Sequence, residues 1–497
     1  LSLAWGLVET SRQRARAERR FAEVRELSNS FLFEIHDAIE NLPGSTKARE
    51  LLIERAQKHL DGLAREAGGD RALQLELAAA YEKLGDVLGR FGGPNLGRTP
   101  EALASYRKAL GIRVALVAET KGNAQERLDL ARNYSRIGTI LLTRTGDPPG
   151  ALETMKRSLA IREAVARDEP GNTEAQYALS ISHFEIGSTL RDLGDRAGAL
   201  ANLRSALAIR EQLVKTHPDS VRFKRALGNT YGEIGDALRS EGDLAGAAGA
   251  YRRALSLFEA VMSQNPADAS TRLPLQQAWQ ALGTIEAEQG NLQAALLNYR
   301  NALDICEKLT AADPANVEAQ RRLAQVLSRM GDALSSAGRA AEALATQRRA
   351  LAVAEGYAGR DSADPLSRLE LAAYQCDVGA ALAKAGDPLL SLESLDEALA
   401  TAEALAAQNP ANPDFRATVA LCQLDLARAN ASLASARAPA AYRRDRWLQA
   451  RASFQKSLDG WTELKKSGLL SQSDAGRIDE AARGIAQADA ALGQSSR

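Results

Sequence analysis

Residues 220–266 read SVRFKRALGNTYGEIGDALRSEGDLAGAAGAYRRALSLFEAVMSQNP. Ser220 is a helix N-cap type, whose side-chain oxygen can accept from the free amides of a first turn. Gly242 sits where a left-handed residue would end that helix, Asp243 can cap a second one, and Pro266 closes it. One segment thus encodes two antiparallel helices and a short turn. The punctuation then recurs along the chain. Gly187, Gly235, Gly283, Gly331 and Gly379 each follow an aliphatic residue and stand 48 residues apart; Gly138 and Gly85 precede them at steps of 49 and 53, and Ala427 follows. Fifteen residues before each stands Asp70, Asn123, Asn172, Ser220, Asp268, Asn316, Asp364 or Asn412. Turn glycines recur at Gly146, Gly194, Gly242, Gly290, Gly338 and Gly386, with Asp147, Asp195, Asp243, Asn291 and Asp387 as caps of the return helix and Arg339 as the exception. Pro170, Pro218, Pro266, Pro314 and Pro410 close the units. A period of roughly 20 to 50 residues marks units too small to bury their own cores, which must stack on their neighbours.

Within the quoted segment, Tyr231, Ile234-Gly235, Ala247, Tyr251, Ala254 and Pro266 follow the order of the tetratricopeptide (TPR) repeat, which the chain resembles. The closing Pro falls seven residues late and the opening helix starts seven early, so a repeat of about 34 residues becomes one of 48. Seven residues are nearly two helical turns, so each helix lengthens without rotating its buried stripe off the seam. Ala109, Ser158, Ala206, Ala254, Ala302, Ala350 and Ala398 mark where backbones approach closely. Such long-helix units look like those of the kinesin light chains and of bacterial signalling proteins. The resemblance implies an all-α fold, a right-handed TPR-like α-solenoid of about 48-residue helical hairpins, with residues 70–411 as seven clear repeats.

Composition sets bounds. The 497 residues are 45% hydrophobic but only 5% aromatic, in keeping with one long helical array rather than several globules. Sixty-three basic residues balance sixty-three acidic ones, which implies no global pull on nucleic acid. Cys306, Cys376 and Cys422 have no metal-ligand spacing. They read as buried small hydrophobes, although Cys376 and Cys422 lie on successive first helices and could approach each other. His36, His59, His183 and His217 are scattered, so no zinc site or nucleophile–base pair emerges. Gly92, Gly97, Arg98 and Thr99 match a phosphate-binding loop except that Arg98 replaces its Lys, and the segment follows a helix, so it reads as a turn. No cofactor, metal or catalytic residue is expected.

The ends differ from the repeats. Residues 1–20 pair an apolar stretch containing Trp5 with Arg12, Arg14, Arg16, Arg19 and Arg20, like the last turns of a membrane helix and its basic flank. A membrane tether upstream of residue 9 is expected, the alternative being the apolar start of an ordinary helix. Residues 21–69 read as a helical hairpin cap, residues 412–470 as a degraded eighth repeat whose return helix follows a turn enlarged over Ala436 to Trp447, and residues 471–497 as a capping helix and tail.

The run LSNSFLFEIHDAIENLPGSTKARELLIERAQKHLDGLAREAGGD (residues 27–70), leading into LAAAYEKLGDVLG (residues 77–89), resembles the segment beyond the membrane helix of bacterial eukaryotic-like Ser/Thr protein kinases with C-terminal TPR arrays. That resemblance implies a sensor or docking scaffold, extracytoplasmic across a single span from the kinase. Residues 9–26 hold six Arg against four Glu, which argues for the cytoplasmic side. No Gly-rich loop with a strand Lys, His-Arg-Asp or Asp-Phe-Gly is present, so the chain itself is not expected to be an enzyme. A stand-alone soluble TPR adaptor is the alternative.

The TPR resemblance places a protein or extended peptide in a concave groove lined by first helices. Counting from each repeat glycine gives Glu82, Lys83, Asp86 and Arg90; Arg132 and Arg136, with Ser135 and Thr139; Phe184, Glu185 and Arg191, with Ser188; Glu233, Asp236 and Arg239; Gln280 and Thr284; and Arg329 and Asp332, with Ser328. Position two before the glycine carries no Asn, so a clamp for a C-terminal carboxylate is not expected. Alternating charges suit an extended segment.

Overall fold

A computed structural model describes residues 46–66, 70–89, 98–120, 122–266, 268–314, 316–359, 364–410, 412–470 and 474–494. Among them are eighteen α-helices and no strand. The first helices of successive hairpins are α2 (Arg71–Gly89), α4 (Ala124–Ile140), α6 (Thr173–Asp192), α8 (Val221–Glu241), α10 (Ala269–Glu288), α12 (Val317–Ser336), α14 (Pro365–Ala385) and α16 (Pro413–Ser435). Their return helices are α3 (Thr99–Thr120), α5 (Pro148–Asp168), α7 (Arg196–Thr216), α9 (Leu244–Gln264), α11 (Leu292–Ala312), α13 (Ala340–Ala358), α15 (Pro388–Gln408) and α17 (Ala440–Lys466). α1 (Thr46–Glu66) and α18 (Ala475–Gln494) flank the series. The chain divides between Ala237 and Leu238 into two compact units. Residues 1–45, and with them the apolar start, His36 and the first half of the hairpin read over residues 21–69, lie outside the described residues, as do Gly92 and Gly97.

The helix boundaries follow the punctuation. All eight N-cap side chains accept from a backbone N–H in the first turn, from Leu73 on Asp70 (3.1 Å) through Phe223 on Ser220 (3.3 Å) to Asp414 on Asn412 (2.9 Å). The six turn glycines take φ between 63° and 94°, where a side chain would be strained. Asp147, Asp195, Asp243 and Asp387 cap the return helices, but Asn291 makes no cap bond and donates its amide to Glu286 instead, at 2.9 Å.

Two irregularities in spacing have structural outcomes. The 49-residue step from Gly138 to Gly187 carries one extra residue before Gly146, which is absorbed as a π-helical turn over Leu141–Thr145. The eighth hairpin corrects the expectation of an enlarged turn. Only Ala436–Pro439 separates α16 from α17, and the added residues lengthen the helices, α17 reaching 27 residues.

The repeat glycines set the spacing between the two helices of each hairpin. A Cβ on Gly187 would stand 2.8 Å from Leu203 Cγ and 3.1 Å from the Ala199 carbonyl; one on Gly379 would meet Leu395, and one on Gly283 the Tyr299 ring. Gly484 of α18 packs against Phe454 of α17 in the same way. The small residues Ala109, Ser158, Ala206, Ala254, Ala302, Ala350 and Ala398 are fully buried between neighbouring helices.

The cysteines correct the simplest reading. Cys306 is a buried free thiol, but Cys376 and Cys422 form a disulfide between α14 and α16, with Cα atoms 5.8 Å apart.

Replacing Gly187 by Ala is expected to destabilise the protein by about 1–3 kcal/mol, because the new methyl has backbone on one side. Gly232→Ala, in a helix with nothing within 4 Å of its Cβ, is expected to stabilise it by up to about 1 kcal/mol. Urea unfolding of the two variants should therefore shift in opposite directions; equal shifts would refute the close approach.

Candidate functional site

The first helices present polar side chains at a repeat of about 48 residues, so one helix's charge meets its counterpart on the next. In the N-terminal unit, Glu82 on α2 is buried and takes two parallel bonds from Arg113 of α3, both 3.0 Å; Arg113 also lies 3.4 Å from Asp129 of α4. Asp86 accepts from the Tyr106 hydroxyl at 2.6 Å and from the guanidinium of Arg136 on α4. Arg132 pairs with Asp129 one turn back, and burial lowers its pKa. Lys83 is half-buried, and Arg90 lies outside the described residues.

Further along that unit, the Ser135 hydroxyl donates to Glu185 of α6 at 2.5 Å, and Arg162 of α5 stands 3.7 Å from the same carboxylate. Burial still raises the Glu185 pKa. Arg191 of α6 reaches Glu233 of α8 at 2.5 Å and lies 3.6 Å from Asp236; Ser188 donates to Glu233 at 3.0 Å. Burial raises Glu233 too, against the pull of Arg191. Phe184 lies under the Arg210 guanidinium, 4.7 Å from centroid to Cζ.

In the C-terminal unit, Arg239 stands 3.8 Å from Glu288 of α10. Gln280 accepts from Gln276 at 2.8 Å, and Thr284 donates to the Gln280 carbonyl at 3.1 Å while lying 3.2 Å from the Tyr299 hydroxyl. Arg321 of α12 binds Glu370 of α14 at 2.9 Å. Ser328 donates to Asp377 of α14 at 2.7 Å, and Asp332 accepts from the Gln347 amide at 3.1 Å. Arg329 is solvent-exposed beside them. Asp425 of α16 binds Arg428, which also reaches Glu480 of α18. A cleft of about 550 Å³ opens among α16, α17 and α18, lined by Arg428, Ser432, Phe454, Glu480, Arg483 and Gln487.

Asp377 is only part-buried and Asp332 is open to solvent, yet desolvation dominates the titration of both. Solvent reaches both carboxyls from one side, while the neighbouring helices crowd them on the others. Burial, then the charges of Asp332 and Asp425, push Asp377 up to about 8, against the Ser328 hydrogen bond. Burial also raises Asp332 and Asp425.

Two features escaped the sequence reading. Arg113, Arg162 and Arg210 recur on return helices at steps of 49 and 48, each no more than 4% exposed, reaching under the first helices. Arg210 has no carboxylate within 4 Å among the described residues; it donates to the Ala226 carbonyl at 2.9 Å, Thr230 at 2.8 Å and Ser180 at 3.1 Å, and burial pulls its pKa down to about 10. The spacing alone could have revealed this column, which continues as Phe258, Cys306, Ala354 and Ala402. The second feature is Gln347, which holds the position filled elsewhere by Tyr106, Met155, Leu203, Tyr251, Tyr299 and Leu395. Among the described residues no His, Cys, Asp and Glu side chains are grouped to hold a metal ion, and no helix is long and apolar enough to cross a membrane.

A family model for a tetratricopeptide repeat, TPR_10, matches residues 185–219. No curated protein sequence matches the chain. Among solved structures, the apo form of RapI is 12% identical over 90% of this chain and 100% of its own, with a TM-score of 0.50. A Rap protein complexed with competence and sporulation factor is 12% identical over 86% and 99%, with a TM-score of 0.41. BtubC (BKLC) from P. vanneervenii is 20% identical over 52% of this chain and 91% of its own, with a TM-score of 0.40. The fold is a TPR-like α-solenoid of long helical hairpins.

The Asp377 titration carries a sign. Below about pH 4 the carboxyl is protonated folded or unfolded and costs nothing; as pH rises towards 8, only the unfolded chain ionises, so stability falls across that window. Asp377→Asn, which keeps the Ser328 bond, is expected to raise the melting temperature by several degrees at about pH 8 and hardly at all at about pH 4. Equal gains at both pH values in calorimetry would show that Asp377 is ionised normally.

Proposed function

We propose that the chain is a protein-binding scaffold that holds an extended segment of a partner on its first-helix faces, and that it serves as the sensor or docking region of a membrane-anchored Ser/Thr protein kinase. The observation that carries the first half is the repeat of charged and hydroxyl side chains on successive first helices, from Asp86 and Arg136 in one unit to Ser328 and Asp377 in the other. Within each unit such a surface reads a chain through complementary charge rather than one deep pocket. Solenoids suit this work because stacked repeats extend one face without adding a new core.

The kinase-linked half rests on the resemblance of residues 21–85, and the apolar start with its basic flank supports a tether. The Cys376–Cys422 disulfide favours the extracytoplasmic side, since structural disulfides persist in oxidising compartments. It outweighs the two-charge Arg excess of residues 9–26, which lacks an opposing flank for comparison.

Amine-reactive crosslinking of the chain to co-purified partners is expected to mark Lys83 and Lys384, on α2 and α14, and to spare the exposed Lys156, Lys215 and Lys308 of return helices. Crosslinks confined to the latter would move binding to the opposite face. Peptide mapping without reduction, on protein alkylated during cell lysis, should recover residues 376 and 422 as one linked peptide; free thiols at both would argue for the cytoplasmic side.

A further inference from the structure

Carboxylates on the first-helix faces characteristically have a cation at hand. Glu82, Asp86, Glu185, Glu233, Glu370 and Asp425 each lie within 4.0 Å of an arginine nitrogen. Asp332 and Asp377 are different: neither has a Lys or Arg nitrogen within that distance among the described residues, and each is held by a neutral donor. One chain of hydrogen bonds joins them. Ser328 donates to Asp377 Oδ2 at 2.7 Å, while the Gln347 amide donates both to the Ser328 carbonyl and to Asp332 Oδ1, each at 3.1 Å.

Gln347 is the second, independent observation. It is 2% exposed, in a column that other repeats fill with Tyr, Leu or Met, and its Oε1 has no hydrogen-bond partner. Gly331 makes room for it, since a Cβ there would come within 2.6 Å of its carboxamide. A buried amide with an unmatched oxygen costs stability that Leu at the same position would not. Asp332 Oδ2, Asp377 Oδ1 and Gln347 Oε1 therefore leave three acceptors without donors in one hydrogen-bonded group, which solvent reaches at Asp332 and Asp377. An ammonium group brings three donors and one positive charge.

We propose that Asp332, Asp377 and Gln347 form a receptor for an ammonium group of the bound segment, a lysine side chain or the free chain terminus. The proposal rests on the extended-peptide reading above. Arg329 of α12, Tyr374 and Lys384 of α14, Asp425 of α16 and Arg477 of α18 also act on the two carboxyls. Lys384 is held by Ser335 at 2.9 Å, and the guanidinium of Arg477 lies over Trp461, so neither closes the recess. In the empty protein a proton substitutes for the ligand's charge, so binding releases it and tightens as pH rises towards 8.

The test uses the full chain and four fluorescein-labelled decapeptides: alternating Ala-Lys, Ala-Glu and Ala-Gln with acetylated N-termini, and Ala-Gln with a free amine. Fluorescence anisotropy at physiological salt is expected to show acetylated Ala-Lys binding about tenfold more tightly than acetylated Ala-Gln, with Ala-Glu weakest. Asp332→Asn and Asp377→Asn should each remove most of that advantage and leave Ala-Gln unchanged. Gln347→Leu should raise the melting temperature while weakening Ala-Lys, a pairing that a purely structural role would not produce. If the free-amine Ala-Gln peptide gains as Ala-Lys does, the receptor takes a chain terminus. Ala-Lys and both Ala-Gln peptides binding alike, or Ala-Lys affinity unmoved by both Asn variants, overturns the receptor while leaving the groove standing. No binding by any of the four peptides removes the extended-peptide reading, and the receptor with it.

Discussion

The structure is governed by how closely two helices of a hairpin can approach where the repeat glycine faces the return helix. A methyl on Gly187 would sit 3.1 Å from a backbone carbonyl of that helix, so the missing Cβ fixes the interhelical distance by steric exclusion. Once the spacing is set, the residue sixteen positions on becomes the floor beneath the glycine, and the fully buried Ala column at Ala206 and Ala302 packs against neighbouring helices. Caps and left-handed glycines then determine where each helix stops. The side chains facing a neighbouring first helix therefore lie about 48 residues apart in sequence and side by side in space.

That register makes the polar face a set of cross-helix pairs with unequal energies. Exposed pairs such as Arg222 with Glu174, at 2.7 Å, contribute about 0–1 kcal/mol. The buried Arg113–Glu82 pair lost its hydration on both partners, and its two parallel bonds offset that loss more than they add net stability. Arg210 lies at the other extreme, a buried guanidinium held by hydroxyls, a carbonyl and the face of Phe184. The return helices thus feed positive charge beneath the first-helix face of the N-terminal unit. In the C-terminal unit the equivalent column is apolar, and carboxylates dominate the recess at Asp332 and Asp377.

The architecture was legible because its signals are local. Caps, turn glycines and closing prolines act within one or two turns, so Asn316 or Gly290 can be assigned without knowing what lies across the helix. Asn291 shows the limit: its Nδ2 donates to Glu286, and its Oδ1 caps no first-turn amide. The enlarged turn expected after α16 failed for a related reason, since inserted residues with helical propensity extend helices when the edge of the array is open to solvent. Groove positions were legible as a face but not as pairs. Whether Arg191 meets Glu233 or an i,i+3 neighbour depends on the offset between helices, which no single helix encodes. Gln347 and the Arg113 column were visible as spacing, but their meaning required knowing which residues lie beneath the glycines.

The Cys376–Cys422 bond sits beside two carboxyls of the C-terminal unit, Asp377 and Asp425, that burial holds above their ordinary range. Cys376 precedes Asp377, and Cys422 lies three residues before Asp425, so the covalent link joins the two helices that bring those carboxyls within reach of each other's charge. Ionising both would push α14 and α16 apart. A bridge closing a separation of 46 residues restricts the unfolded chain by about 4 kcal/mol in the loop-entropy model. In the folded protein the bond holds the two Cα atoms 5.8 Å apart whatever the charge on Asp377 and Asp425. Asp332 lies on α12, outside the bridged pair, and α12 is tied to α14 by Arg321 with Glu370 and by Ser335 with Lys384. The recess therefore has one covalently fixed wall and one held without a crosslink, by those polar contacts and by the packing of Tyr374 against the cluster that includes Leu323 and Leu327, so any change of width on ionisation comes from the α12 side.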